Sequence, residues 1–103
     1  MISGQWRSLA RTELEQLSEP QQKQVLAGIE AVLETGLEHE NVALVEKPQF
    51  DAPLWRLKVV DADTDTNHRV FFDLQHGTLV VLAVWPRETA YTPGKLEQAD
   101  HRR

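Results

Sequence analysis

The chain predicts an α+β domain in which two N-terminal helices pack on one face of a small antiparallel sheet. Three observations lead there. Between Leu54 and Tyr91, three β-type runs follow one another, LWRLKVV, HRVFFDLQ and TLVVLAVW, separated by polar or turn-forming residues. Upstream, apolar residues recur at spacings of three and four, the period of an amphipathic helix. Between the two helical stretches stands Ser18-Glu19-Pro20-Gln21, a helix-start signature.

A length of 103 residues suits one domain and leaves no room for a second. Residues 1–103 are therefore expected to form a single domain, with 92–103 as a frayed tail. Apolar residues at 41% and charged residues at 26% are ordinary values for a globular protein. No apolar run approaches the ~20 residues of a membrane span, so no membrane association is expected. The N-terminus, MISGQWRSLAR, lacks a signal peptide's apolar core, which makes the cytoplasm the expected compartment. Without cysteine there is neither disulfide nor thiolate chemistry. The net charge of −5 weighs against nucleic acid as a partner, because such binders are usually basic. The acids, however, concentrate in 13–51 and 61–65 and leave the central strands to the cations. A local positive patch can form there.

Taken in order, Ile2 and Trp6 mark a candidate N-terminal edge strand. Ser8 to Leu17 reads as a helix with Ala10, Leu14 and Leu17 on one side. Ser18 can cap a second helix, with Gln21 at the capping-box position and Pro20 tolerated in the first turn. That helix carries Val25, Leu26, Ile29, Val32 and Leu33 on one stripe, and Gly36 ends it. Gly28 inside it reads as a close-packing position. Leu37–Pro53 is a connection with a short extended piece at Val42–Val45. Pro86 and then Pro93-Gly94 interrupt the chain after the last strand.

The strands are Leu54–Val60, His68–Gln75 and Thr78–Trp85. A two-residue turn at His76-Gly77 sets Gln75 opposite Thr78, hence Leu74 opposite Leu79, Phe72 opposite Val81 and Val70 opposite Ala83. Placing Lys58 opposite Arg69 in the first hairpin sets Trp55 against Phe72 and Leu57 against Val70. Alternation then collects Trp55, Leu57, Val59, Val70, Phe72, Leu74, Leu79, Val81, Ala83 and Trp85 on one apolar face. The other face holds Arg56, Lys58, Arg69, Phe71, Asp73, Val80, Leu82 and Val84. Arg87 and Tyr91 follow directly and could close over it.

Arg56, Lys58 and Arg69 on one face form the strongest chemical signal. Clustered cations hold phosphate oxygens and stabilise charge building on phosphorus. A solvated face with Asp73 as counter-charge is the plainer alternative. Phe71 could stack on a base or fill space under the C-terminal segment. His68 falls beside Arg69, but its parity places it on the apolar side, where a structural role fits best. Asp61, Asp63 and Asp65 have the opening spacing of a calcium loop. Its sixth and twelfth positions, however, are Thr66 and Phe72 rather than Gly and Glu, so the match fails. With no close histidine pair, no metal site is expected.

The stretches LWRLKV (54–59), HRVFF (68–72), VVLAVW (80–85) and PRETAY (86–91), behind two helices with a leucine-rich stripe, resemble the RelE/ParE superfamily of type II toxins, including its HigB-like members. The resemblance spans about residues 7–91. It implies a RelE-like fold and a toxin that cuts messenger RNA at the ribosome without a metal or other cofactor. In that chemistry a 2′-hydroxyl attacks the adjacent phosphate. By motif position the catalytic set would be Lys58 as base, Arg69 on the phosphorane, Arg87 as acid and Tyr91 orienting a nucleotide. Arg56, Phe71 and His68 would contact RNA. A cognate antitoxin is the implied protein partner, in a homodimer or a toxin–antitoxin hetero-oligomer. The same fold also serves a ParE-like inhibitor of DNA gyrase with no ribonuclease activity, and a catalytically degenerate interaction module, so both alternatives stay open.

Overall fold

Five strands form one mixed sheet in the order β1-β5-β4-β3-β2. They are β1 (Ser3–Trp6), β2 (Val42–Val45), β3 (Leu54–Asp61), β4 (Thr66–Gln75) and β5 (Thr78–Pro86). Four helices accompany them: α1 (Ser8–Glu15), α2 (Glu19–Thr35), α3 (Arg87–Ala90) and α4 (Lys95–His101). The computed structural model describes residues 3–50 and 52–103. Ile2, expected in the edge strand, lies outside them. The part of that strand described, β1, runs parallel to β5, from Ser3 beside Thr78 to Trp6 beside Val81. The extended piece at Val42–Val45 pairs antiparallel with β3 as the other edge.

Local signals set the two long N-terminal helices. Ser18 Oγ accepts from the Gln21 amide and Gln21 Oε1 from the Ser18 amide, each at 3.3 Å, a reciprocal capping box. Gly36, at φ 87°, ends α2 in a conformation that a side chain would strain. Ala10, Leu14, Val25, Ile29 and Val32 are buried against Leu57, Val59, Val70, Phe72, Leu79 and Val81. Leu26, expected on the buried stripe, is 41% exposed instead. A Cβ built on Gly28 would meet Val59 Cγ2 at 3.2 Å, so α2 approaches the sheet where glycine permits it.

The first hairpin keeps the expected register, with Lys58 opposite Arg69, Leu57 opposite Val70 and Trp55 opposite Phe72. In the second, Gln75–Thr78, Leu74–Leu79 and Phe72–Val81 also pair as expected. Then Phe71 pairs with Ala83, and Val70 meets Val84 instead of Ala83. Leu82 is the extra residue of a β-bulge, and one extra residue turns every later side chain to the opposite face. Ala83 and Trp85 therefore leave the α1–α2 face, where alternation had put them, and Val84 joins it.

The second face is covered as well. Ala90, Leu96 and Ala99 bury Leu54, Phe71, Val80, Leu82, Ala83 and Trp85, with Phe50 and Val45 packed alongside. This corrects two expectations: helices lie on both faces of the sheet, and 92–103 is not a frayed tail. Leu96 is the apolar anchor of α4 at 6% exposure, and ion pairs fasten the rest. Arg102 bonds Glu13 of α1, and Arg103 Nε bonds Asp100 at 2.6 Å. Arg103 Nη1 also lies 2.8 Å from Asp73 Oδ1, as an ion pair without hydrogen-bond alignment. Among the described residues no helix is long and apolar enough to cross a membrane.

Candidate nucleic-acid interface

Strand pairing makes rows across the second face. Lys58, Arg69 and Trp85 form one row, and Arg56, Phe71 and Ala83 the next. Arg56, Lys58 and Arg69 therefore share one side of the sheet. Directly opposed like charges destabilise a strand pair, so Lys58 and Arg69 need a reason to face each other.

Their described surroundings pair them with no counter-charge. Among the described residues no ion pair involves Arg56, Lys58, Arg69 or Arg87. Asp73, the carboxylate on this face, is taken by Arg103, Gln75 Nε2 at 3.1 Å and the Leu74 amide at 2.9 Å. Arg69 is only 5% exposed. Its Nη1 is held by Asn67 Oδ1 at 3.0 Å and the His68 carbonyl at 3.1 Å, both neutral acceptors. The Nε atoms of Arg56 and Arg69 are buried without a hydrogen-bond partner, an arrangement that costs about 1–3 kcal/mol per group. Lys58 is exposed and Arg56 half-buried. The result is a cationic shelf, fixed at Arg69 and open at Lys58.

Tyr91 closes over the same face, its ring edge-on to Phe71 with centroids 6.0 Å apart, and remains 47% exposed. Phe71 is fully buried between Tyr91 and Trp85, so it supports the aromatic surface and offers no face to a base. His68 lies across the sheet from the shelf, opposite Val59 and Pro86. The sheet therefore does not bring it together with Arg56, Lys58 and Arg69. Burial lowers its pKa first; Glu88 raises it, Arg69 lowers it and Asp65 raises it. Arg87 is exposed at the start of α3, two residues beyond Trp85.

Four residues with no marked signal in the sequence contribute here. Asn67, two positions before Arg69 on the same strand face, anchors the guanidinium; the alternation itself could have marked it. Lys95 Nζ sits 4.7 Å from the Trp85 ring centroid, and Arg102 Cζ lies 5.2 Å away, both within cation–π range. Glu13 Oε2 accepts the Trp85 indole N–H at 2.7 Å and Oε1 the Val84 amide at 3.1 Å. Among the described residues no three His, Asp or Glu side chains converge to hold a metal ion.

The sheet thus carries helices on both faces and a cationic row on one of them, and comparison with known proteins bears on the fold directly. The family model for the ParE toxin of type II toxin–antitoxin systems (parDE) matches residues 5–91. The chain belongs to this family, within the RelE/ParE superfamily of type II toxins. A structure of E. coli toxin RelE in the free state, carrying two arginine-to-alanine substitutions, superposes with a TM-score of 0.70 at 14% identity. The match covers 98% of this chain and 96% of that one. The intact E. coli RelBE toxin–antitoxin complex matches with a TM-score of 0.62 at 15% identity, over 84% of this chain and 96% of that one. At such identities these structures speak for the fold. No curated protein sequence matches the chain.

Proposed function

We propose that this toxin is an endoribonuclease that cuts messenger RNA through 2′-hydroxyl attack and is neutralised by a cognate antitoxin. The observation that carries the reading is the Lys58–Arg69 pair: two cations set directly opposite each other across a strand pair, with no ion pair to either among the described residues. A backbone phosphate would remove that repulsion and supply the missing acceptors.

The chemistry follows from the residues around it. The 2′-oxygen attacks the adjacent phosphorus and the bond to the 5′-oxygen breaks, leaving a cyclic phosphate and a 5′-hydroxyl. Lys58, acting in its neutral amine form, takes the proton of the attacking hydroxyl and becomes the ammonium. Arg69, steadied by Asn67, offers its uncommitted Nη2 to the non-bridging oxygens as charge builds on them. Arg87 returns a proton to the departing oxygen, and Tyr91 stacks on a base. The chain's own cations would carry the charge, so no cofactor is required. An amphipathic antitoxin segment laid over the shelf would block all of these contacts; the RelBE complex is a fold relative that takes an antitoxin.

Inhibition of DNA gyrase without RNA chemistry is the second reading. It is favoured because the matching family model is that of ParE toxins and because little of Arg69 reaches solvent. Inducing the chain alone and mapping RNA ends decides between the two. Growth arrest with cut messages, lost in Arg87→Ala and Arg69→Ala variants that keep their far-UV spectrum, supports the nuclease. Arrest with damaged DNA and intact messages supports gyrase and overturns it.

A further inference from the structure

Lys58 also rims a second groove, between α2 and the exposed end of β3, whose other walls are Gln24, His39 and Asn41. β2 begins only at Val42, opposite Leu57, so beyond the Lys58 N–H bond to the Asn41 carbonyl at 2.9 Å this edge of β3 has no strand neighbour among the described residues. The floor is apolar. Gly28, Leu57 and Val59 form it, and Val60 stands beside it at 55% exposure.

The polar walls have donors and acceptors to spare. His39 Nδ1 accepts the Asn41 amide at 3.1 Å, which leaves the ring's Nε2 as its donor. The backbone of Asn41 is used at both ends, by His39 and by Lys58, while its side-chain amide bonds nothing among the described residues. The Gln24 amide is equally free. No carboxylate lines the groove, in a chain whose net charge is −5. An apolar floor, two amides and an imidazole at the rim, and an ammonium at one end match a nucleobase with its phosphate. The flat base faces the aliphatic floor, its edge meets the amides, and the phosphate reaches Lys58.

We infer that this groove holds the base of a nucleotide next to the scissile phosphate and sets the sequence preference of cleavage. The inference rests on the nuclease reading. It assigns Gln24, His39 and Asn41 to base recognition rather than to chemistry. RNA strands would pass from the shelf over Lys58 and onto α2, with the tip of the α2–β2 connection reading one position.

Two measurements test it. Cleavage positions are mapped for the wild-type chain and for Asn41→Ala and Gln24→Ala, alongside Arg87→Ala. The groove variants should lose rate at preferred sequences and flatten the preference at one neighbouring position by roughly tenfold, the usual worth of a paired base edge. Arg87→Ala should instead lower cutting evenly at all sites. In parallel, titrating the wild-type chain with single-stranded tetranucleotides should shift the amide resonances of Gly28, Asn41 and Val60. Preferences unchanged in both groove variants, while cleavage continues, would overturn the groove and leave the nuclease intact. A wild-type chain that binds no tetranucleotide and cuts no message would bring down both.

Discussion

Glu13 and Arg102 form a bidentate ion pair, Oε1 to Nη1 at 2.9 Å and Oε2 to Nη2 at 3.1 Å, across the uncovered edge of β5. The edge is uncovered because β1 stops pairing at Val81, where the Arg7 amide makes the last bond at 3.0 Å. Past that point two side chains do a strand's work. Glu13 takes the Val84 amide and Arg102 Nη1 donates to the Leu82 carbonyl at 2.9 Å. An exposed edge is a template for unwanted pairing, and this one also borders the bulge that turns Trp85 onto the shelf. The pair ties α1 on one face to α4 on the other, so the surroundings of Trp85 and the closure of the domain depend on the same contact.

Glu13→Ala should therefore cost far more than a surface substitution. It strands the Val84 amide, the Trp85 indole N–H and a mostly buried guanidinium at once. Loss of one partner of such a pair typically costs about 3–5 kcal/mol. Urea unfolding followed by tryptophan fluorescence should show a lower midpoint with little change in slope. Glu13→Gln, which keeps acceptor capacity, should fall between that variant and wild type. Equal midpoints for wild type and Glu13→Ala would mean that the clasp contributes nothing.

Lys58→Gln tests whether the shelf is held at the expense of stability. The side chain is exposed, so its replacement opens no cavity, and it removes a like charge directly opposite Arg69. Relief of such a pair amounts to a few tenths of a kcal/mol up to about 1. The variant should be as stable as wild type or slightly more so, while cleavage falls by ~10²-fold or more. Thermal unfolding and RNA-end mapping on one preparation supply both readings. A destabilised variant with full activity would contradict the account of the site on both counts.

The Ser18 capping box, the two helices, the His76-Gly77 turn and the pairing of Lys58 with Arg69 were legible because each rests on local chemistry or on alternation between unlike residues. The bulge at Leu82 was not. Every residue from Leu79 to Trp85 is apolar, so a strand buried on both faces gives no polar position to reveal where its parity flips. That silence misplaced Val84, Ala83 and Trp85, and with Trp85 the neighbour of Arg69. α4 was hidden for another reason. Its sequence, KLEQADH, has few apolar residues, and the partners that fix it, Glu13 and Asp73, lie far away in the chain. The shelf itself was readable from strand parity, whereas the burial of Phe71 required the helix that covers it.

His68 gives the chain a pH dependence of known sign. Burial holds the folded-state pKa below the ordinary imidazole value of about 6.5, and Arg69 adds to the effect, while Glu88 and Asp65 oppose it. Below 6.5 the unfolded chain gains a proton that the folded chain resists, so folding stability should fall with pH from about 6.5 down to the lowered value. Above 6.5 this contribution is complete and constant. Unfolding midpoints measured across that window for wild type and His68→Gln should differ in slope, the variant being flatter. Parallel curves would place the imidazole in solvent-like surroundings.

Leu96→Ala separates a docked α4 from a frayed one. Leu96 reaches a cluster of Leu54, Phe71, Leu82 and Trp85 and is almost wholly buried there. Truncating a buried leucine to alanine costs about 2–5 kcal/mol, the transfer of the lost methyl groups plus the cavity left behind. A frayed segment would register almost nothing, because the side chain would already be in water. The variant should unfold at distinctly lower urea, and amide exchange across α4 should quicken along with that of Tyr91, whose ring rests on the same Phe71. If α4 exchanges freely in the wild-type chain and Leu96→Ala leaves the midpoint unmoved, the second face is open in solution, and Phe71 is then far more accessible than its packing here allows.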